Sequence, residues 1–208
     1  MKVIKPSFSI LGNPDGEKIL QFIEIAGRVC YKSEAKITHE SSKTFVLNLI
    51  KNKHESVLEH QSISVKIICD CGISKEITRH RIASFSQLST RYYNFSKEKN
   101  IEFIKPCYWN EGTTSYNVWE NICIEAERAY FFLIKNGSTP QEARSVLPSS
   151  LKTELIMTAN LREWRHFFNV RAAGIVGKPH PQMLEITIPM LREFKNIIPI
   201  IFDDILTT

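Results

Sequence analysis

Glycine is scarce in this chain of 208 residues, with 8 in all, and only Gly174 and Gly177 lie within three residues of each other. Gly-x-Gly-x-x-Gly is missing, as are Gly-x-x-x-x-Gly-Lys-Ser/Thr and Gly-x-Ser-x-Gly. Those absences exclude a Rossmann cradle, a P-loop and a nucleophile elbow. Cysteine is odd in number: Cys30, Cys69, Cys71, Cys107 and Cys123. Cys69-Asp70-Cys71 is not a Cys-x-x-Cys pair, and the 6 histidines form neither His-Glu-x-x-His nor a Cys/His zinc spacing. The pattern reads as reduced thiols without a structural metal. No apolar run reaches the roughly 20 residues of a membrane-spanning helix. The start of the chain also lacks the long apolar core of a signal peptide. The expected location is cytoplasmic, off the membrane.

The composition that remains is that of a folded globular protein: 43% hydrophobic and 24% charged. The length suits one domain spanning residues 1–208. A formal net charge of +5 suits anionic partners such as nucleotides, polyglutamates or nucleic acid, without choosing among them.

Periodicity gives a coarse order of elements. Residues 2–10 read as a strand, followed by a turn at Asn13-Pro14-Asp15-Gly16 that opens a helix. A second helix is predicted over 40–51, burying Phe45, Val46, Leu49 and Ile50. Residues 62–70 alternate as a half-buried strand, with Ile63, Val65, Ile67 and Cys69 on one face. Gly72 then turns the chain into a helix expected to carry Arg79-His80-Arg81. Residues 101–104 suggest a short strand. The longest helix should span 115–136, with Gly137 closing it. Thr139-Pro140-Gln141-Glu142 reads as a capping box. A strand over 151–159, a helix over 160–171, a loop over 172–181 and a last helix over 183–198 kinked at Pro189 complete the pattern. Few strands among long helices indicate an α/β or α+β domain.

Residues 79–91, Arg-His-Arg-Ile-Ala-Ser-Phe-Ser-Gln-Leu-Ser-Thr-Arg, concentrate cations and hydroxyls. Like charges repel, and a ligand with several anionic oxygens would reverse that cost. The serines favour local backbone hydrogen bonds, so a helix that breaks into a serine-rich phosphate loop is one reading. A solvated basic helix face is the other. On a wheel over 160–171, Arg162, Arg165, His166 and Asn169 form a polar face, and Arg171 shares the opposite face with Trp164 and Phe167. A guanidinium there either snorkels from the last turn or meets an acceptor, since burying it unpaired is very costly. His54-Glu55-Ser56-Val57-Leu58-Glu59-His60 and Arg144 are weak signals when each is taken alone.

Taken together, these segments resemble the flavin-dependent thymidylate synthase family. Its signature is Arg-His-Arg, seven arbitrary residues, then Ser, met by Arg79, His80, Arg81 and Ser89, with Ser84 and Arg91 matching the extended form. The 54–60 segment before the signature, and the 143–148 and 160–171 segments after it, fall in the family's order. The resemblance implies a fold with a central, mostly antiparallel sheet flanked by long helices. It implies methylation of dUMP to dTMP, with methylenetetrahydrofolate giving the carbon, FAD reduced by NADPH giving the hydride, and no protein nucleophile. It implies a homotetramer with active sites at subunit interfaces. Residue by residue, it assigns FAD contacts to Ser56, Arg79, His80, Arg81, Gln87, Asn160, Arg162 and His166. It assigns the dUMP site to Glu76, Arg79, Gln87, Leu88, Ser89, Thr90, Arg91, Arg144 and Arg171. Arg91 and Arg144 would hold the phosphate, and Arg171 would favour ionisation at ring N3. The chain departs from some members at Glu76, Ser86-Gln87 and His166, and its 172–181 loop is longer than in shorter members. The competing reading is a nucleic-acid module using Arg79, His80, Arg81 and Arg91 on phosphates, with Tyr92, Tyr93 and Phe95 stacking on bases. A flavin-binding relative without catalysis is a third.

Overall fold

The computed structural model describes residues 1–207. Its strands are β1 (Lys2–Ile4), β2 (Ser7–Leu11), β3 (Ser62–Asp70), β4 (Ala83–Gln87), β5 (Glu102–Ile104) and β6 (Lys152–Asn160). Its helices are α1 (Gly16–Val29), α2 (Ser41–Lys51), α3 (Cys71–Ile77), α4 (Thr114–Lys135), α5 (Pro140–Ala143), α6 (Leu161–Arg171) and α7 (Pro181–Ile197). The fold is mixed α/β, with an antiparallel sheet accompanied by helices. Four strands form that sheet in the order β2-β3-β6-β4, and β1 pairs in parallel with β5. The chain divides into a first unit (residues 1–7, 67–79 and 85–156) and a second (8–66, 80–84 and 157–208).

Three expectations about elements change. The strand expected over 2–10 is two strands, separated at Lys5-Pro6, where proline offers no ladder donor. The helix expected to carry Arg79-His80-Arg81 ends at Ile77, before all three. The serine-rich stretch is partly a strand: Ser84 and Ser86 lie in β4, not in a loop. Elsewhere the local chemistry acts as read. Asp15 accepts from the N–H groups of Glu17 and Lys18 to start α1. Thr139 and Glu142 close a capping box on α5. In α2, Val46 and Ile50 are buried, while Phe45 and Leu49 are only partly so.

In the first unit the core gathers Phe95, Ile101, Phe103, Cys123, Tyr130, Ala143 and Leu151. Glu127 of α4 is buried and accepts from the Ile101 N–H at 2.6 Å, which fixes the approach to β5. In the second unit Trp164, Phe167, Phe168, Phe194 and Phe202 form a chain of aromatic contacts with ring centroids 5.0–5.8 Å apart. Trp164 is fully buried, and its indole N–H donates to the Ile63 carbonyl at 3.0 Å, so its one polar atom is satisfied. Gly16 opens α1 against the end of α7: a Cβ there would lie 1.8 Å from the Ile197 carbonyl oxygen. No helix among the described residues is long and apolar enough to cross a membrane.

Candidate active site

In the first unit, α3 is capped by Asp70, which accepts from the Ile73 N–H at 2.8 Å. The helix carries Glu76, and exposed Arg79 follows it. At the end of β4, the Gln87 amide donates to Ser74 Oγ at 3.0 Å and Thr153 Oγ1 at 3.2 Å. Leu88 continues the strand pairing by donating its N–H to the Glu154 carbonyl at 2.9 Å. The chain then turns, with Tyr92 and Tyr93 N–H groups donating to the Ser89 carbonyl. That turn leaves the Ser89 and Arg91 side chains at the surface. Arg144, on a 3-10 turn after α5, donates from Nη1 to Thr90 Oγ1 at 3.1 Å. Residues 87–91 and Arg144 are far apart in sequence and converge here as two exposed guanidiniums beside hydroxyls. Such a set suits a phosphate.

In the second unit, α6 begins at Asn160, whose side-chain oxygen accepts from the Glu163 N–H at 2.8 Å. A 3-10 turn (Glu55–His60) packs against α6 and presents Ser56 at the surface. Glu59 pairs with Arg162 at 2.5 Å, both of them exposed. Glu55 pairs with Arg165 at 3.0 Å. Arg165 is not part of a solvated polar face, as the wheel suggested. It is 5% exposed, held by both carboxylate oxygens of Asp204 at 2.7 and 2.8 Å and by the Ile201 carbonyl. Arg162 and His166 stay at the surface and Asn169 is half-buried, while Arg81 is exposed at the start of the 80–84 stretch.

His80 and Arg171 are where the structure adds most. Arg171 is half-buried rather than buried, and its Nε donates to His80 Nε2 at 3.2 Å. His80 is 7% exposed, and its Nδ1 lies 3.0 Å from Oε1 of Glu163, itself 6% exposed. A guanidinium only donates, so His80 Nε2 must be the acceptor and the ring proton sits on Nδ1, facing Glu163. Burial is the largest influence on His80 and holds its pKa below the usual 6.5. The Glu163 hydrogen bond and charge oppose that shift, and Arg171 and His166 add to it. His80, Glu163 and His166 bring potential ligand atoms within 4.8 Å of one another, but both His80 nitrogens already have partners. The loop after Arg171 is held by Gly174, whose φ is +72° and whose Cβ would meet Pro179 Cδ at 2.9 Å.

The profile of the thymidylate synthase complementing protein family matches residues 15–200. The chain belongs to this family. A flavin-dependent thymidylate synthase from Geobacter sulfurreducens is 31% identical over 192 residues, covering 88% of this chain and 80% of that one. The enzyme of the same name from Mycobacterium sp. (strain JLS) is 32% identical, with 91% and 81% covered. For the Pyrococcus abyssi enzyme the identity is 30%, and the match spans 78% of this chain and 66% of the relative. Among solved structures, a UMP/dUMP methylase from Streptomyces cacaoi, crystallised with 5-Br dUMP, shares the fold. Its TM-score is 0.81 at 21% identity, with 98% of this chain and 96% of that one covered.

Sequence reasoning missed four members of this family member's candidate site. Ser74 and Thr153, both buried, position Gln87; Glu59 holds Arg162; Glu163 holds His80. Glu59 lay in the weakly signalled 54–60 segment, and Glu163 had a signal of its own. Asn160-x-x-Glu163 spells a capping box, which would aim the carboxylate back at its own helix start. The fold sends it to a histidine 83 residues away instead.

Proposed function

We propose that the protein is a flavin-dependent thymidylate synthase that converts dUMP to dTMP with methylenetetrahydrofolate as carbon donor and FAD and NADPH as reductants. The observation that carries this reading is the pairing of a complete Arg79-His80-Arg81…Ser89…Arg91 signature with family membership over residues 15–200. Arg91, Arg144, Thr90 and Ser89 hold the dUMP phosphate, with Glu76, Arg79, Gln87 and Leu88 lining the nucleotide. Arg171 meets the uracil edge, where a guanidinium favours the N3 anion and so raises electron density on the ring. Exposed Arg81, Arg162 and His166, with Ser56, His80, Asn160, Arg79 and Gln87, serve FAD; cationic and hydrogen-bonding side chains of this kind fit a diphosphate held without a glycine cradle. FAD, when bound, carries the hydride equivalents. Burial raises the pKa of Cys69, Cys71 and Cys123, in keeping with chemistry that needs no thiolate.

The same reading takes residues 1–208 as one catalytic domain, since the family match runs through both units. It makes the protein a homotetramer with active sites completed by neighbouring copies. Rows of exposed apolar side chains support association: Phe22, Ile25 and Val29 on α1, and Val118, Ile122 and Phe132 on α4, are 47–66% exposed. Five cysteines outside any disulfide fit a cytoplasmic protein. The test is direct. Purified protein should be yellow with a flavin spectrum, sediment as four chains, and form dTMP from dUMP with NADPH and methylenetetrahydrofolate. A colourless protein whose affinity for nucleic acid falls steeply with salt would replace this reading with the nucleic-acid module.

A further inference from the structure

We propose that Glu163 is a positioning residue that acts through His80 on Arg171. This rests on the reading of Arg171 as the group at the uracil edge. Glu163 and Arg171 sit on the same helix, eight residues apart, a rise of about 12 Å. His80, from a different part of the chain, stands between them and bonds to both. The order of donation is fixed by chemistry. Arg171 Nε–H gives to His80 Nε2, and His80 Nδ1–H gives to the Glu163 carboxylate. If the ring carried its proton on Nε2 instead, that N–H would face the guanidinium and no acceptor would remain there.

Three features make the arrangement rigid. Glu163 and His80 are both more than nine-tenths buried, so water does not compete for their hydrogen bond. Phe167 packs edge-on to the imidazole, centroids 4.9 Å apart at 68°, and fixes the ring plane. Thr187 Oγ1 donates to the Arg171 carbonyl at 2.8 Å, which steadies the last turn of the helix. The charged and titratable groups facing His80 are Glu163, Arg171 and His166. Glu163 is the one anion among them, and it selects the tautomer. The relay therefore aims the guanidinium in a set direction before substrate arrives, the way an outer partner orients a histidine that serves a functional group.

The experiment uses holoenzyme with ¹⁵N-labelled histidine. In the parent protein at neutral pH, His80 should show a protonated Nδ1 and a bare Nε2. Glu163→Gln keeps an acceptor oxygen, so it should preserve that tautomer and keep kcat within a few-fold. Glu163→Leu should give a mixed or reversed tautomer and lower kcat about 10- to 100-fold, with KM for dUMP little changed and flavin retained. A parent spectrum with the proton on Nε2 would overturn the proposal, and so would Glu163→Leu turning over at the parent rate. The tautomer arm needs no activity, so it still decides the relay should the parent make no dTMP. It also decides it should Glu163→Leu fail to fold.

Discussion

The guanidinium proposed to meet the uracil edge is oriented by His80, whose neutral imidazole accepts from Arg171 Nε at 3.2 Å. An imidazole acceptor directs the side chain without cancelling its charge, which a direct Arg–carboxylate pair would do. Removing the charge altogether tests its use: Arg171→Ala should cut kcat by about 10²- to 10³-fold, the usual scale for losing one electrostatic stabiliser, while the flavin absorbance of the purified variant stays. Arg91→Ala should act differently. Losing a charge-assisted contact of about 1.5–3 kcal/mol should raise KM for dUMP about 10- to 100-fold, read from initial rates, and leave kcat close to the parent value.

His80 also sets a pH dependence. Its folded pKa is depressed below 6.5 by burial, against the pull of Glu163 and with the push of Arg171 and His166. A depressed histidine contributes stability that is fully present above its unfolded value and is lost as pH falls through the folded one. Urea midpoints should therefore be level from pH 8 to about 7 and decline below about 6.5, the unperturbed histidine value. The same titration on His80→Gln should lack that component. A midpoint that rose on acidification between those values would contradict the burial-driven direction.

At the scale of the element, α6 is a helix with three jobs on three faces. Trp164, Phe167 and Phe168 enter the core; Arg162 and His166 remain at the surface; Arg165 is buried as an ionic anchor. Arg165 ties the helix to the 55–60 turn through Glu55 and to the 201–204 segment through Asp204 and the Ile201 carbonyl. Asp204 is depressed in pKa, chiefly by its Arg165 hydrogen bond, but half of its side chain is exposed, so solvent screens much of that pair. The larger cost lies with the arginine: Arg165→Ala would leave a gap and three acceptors without their donor, and should destabilise by about 2–4 kcal/mol in denaturant titrations. Trp164→Ala should cost about 3–5 kcal/mol, since it empties the centre of the aromatic chain and strands the Ile63 carbonyl. If Arg165→Ala changed stability by less than Asp204→Ala, the anchor would have been placed on the wrong residue.

At the scale of the whole molecule, the two units carry different parts of the proposed chemistry. Residues 87–91 and Arg144, proposed for the phosphate, belong to the first; α6, His80 and Arg171 belong to the second. Element types were largely legible because each rests on near neighbours. The alternation of Ile63, Val65, Ile67 and Cys69, the Asp15 cap and the Thr139–Glu142 box all act within a few residues. The breaks at Lys5-Pro6 and after Ile77 were missed. The first lay in plain view at Pro6, which has no N–H for a ladder, and the second is a helix closed by the Thr78 N–H on the Glu76 and Ser74 carbonyls, with no glycine or proline to mark it. Gly16 reads locally as a turn residue, yet what demands glycine there is the Ile197 carbonyl at the far end of the chain.

From the sequence came the inventory: which cations, hydroxyls and aromatics exist, on what kind of element, and in a signature order that names a family. Tertiary structure decided the partners. It turned Glu163 from a helix cap into the anion behind His80, gave Arg171 an acceptor, and took Arg165 out of the solvent. The reason is physical. Caps and periodicity are set by contacts a few residues apart, whereas a buried charge is satisfied by whatever the folded chain brings to it, and those partners lie tens to more than a hundred residues away.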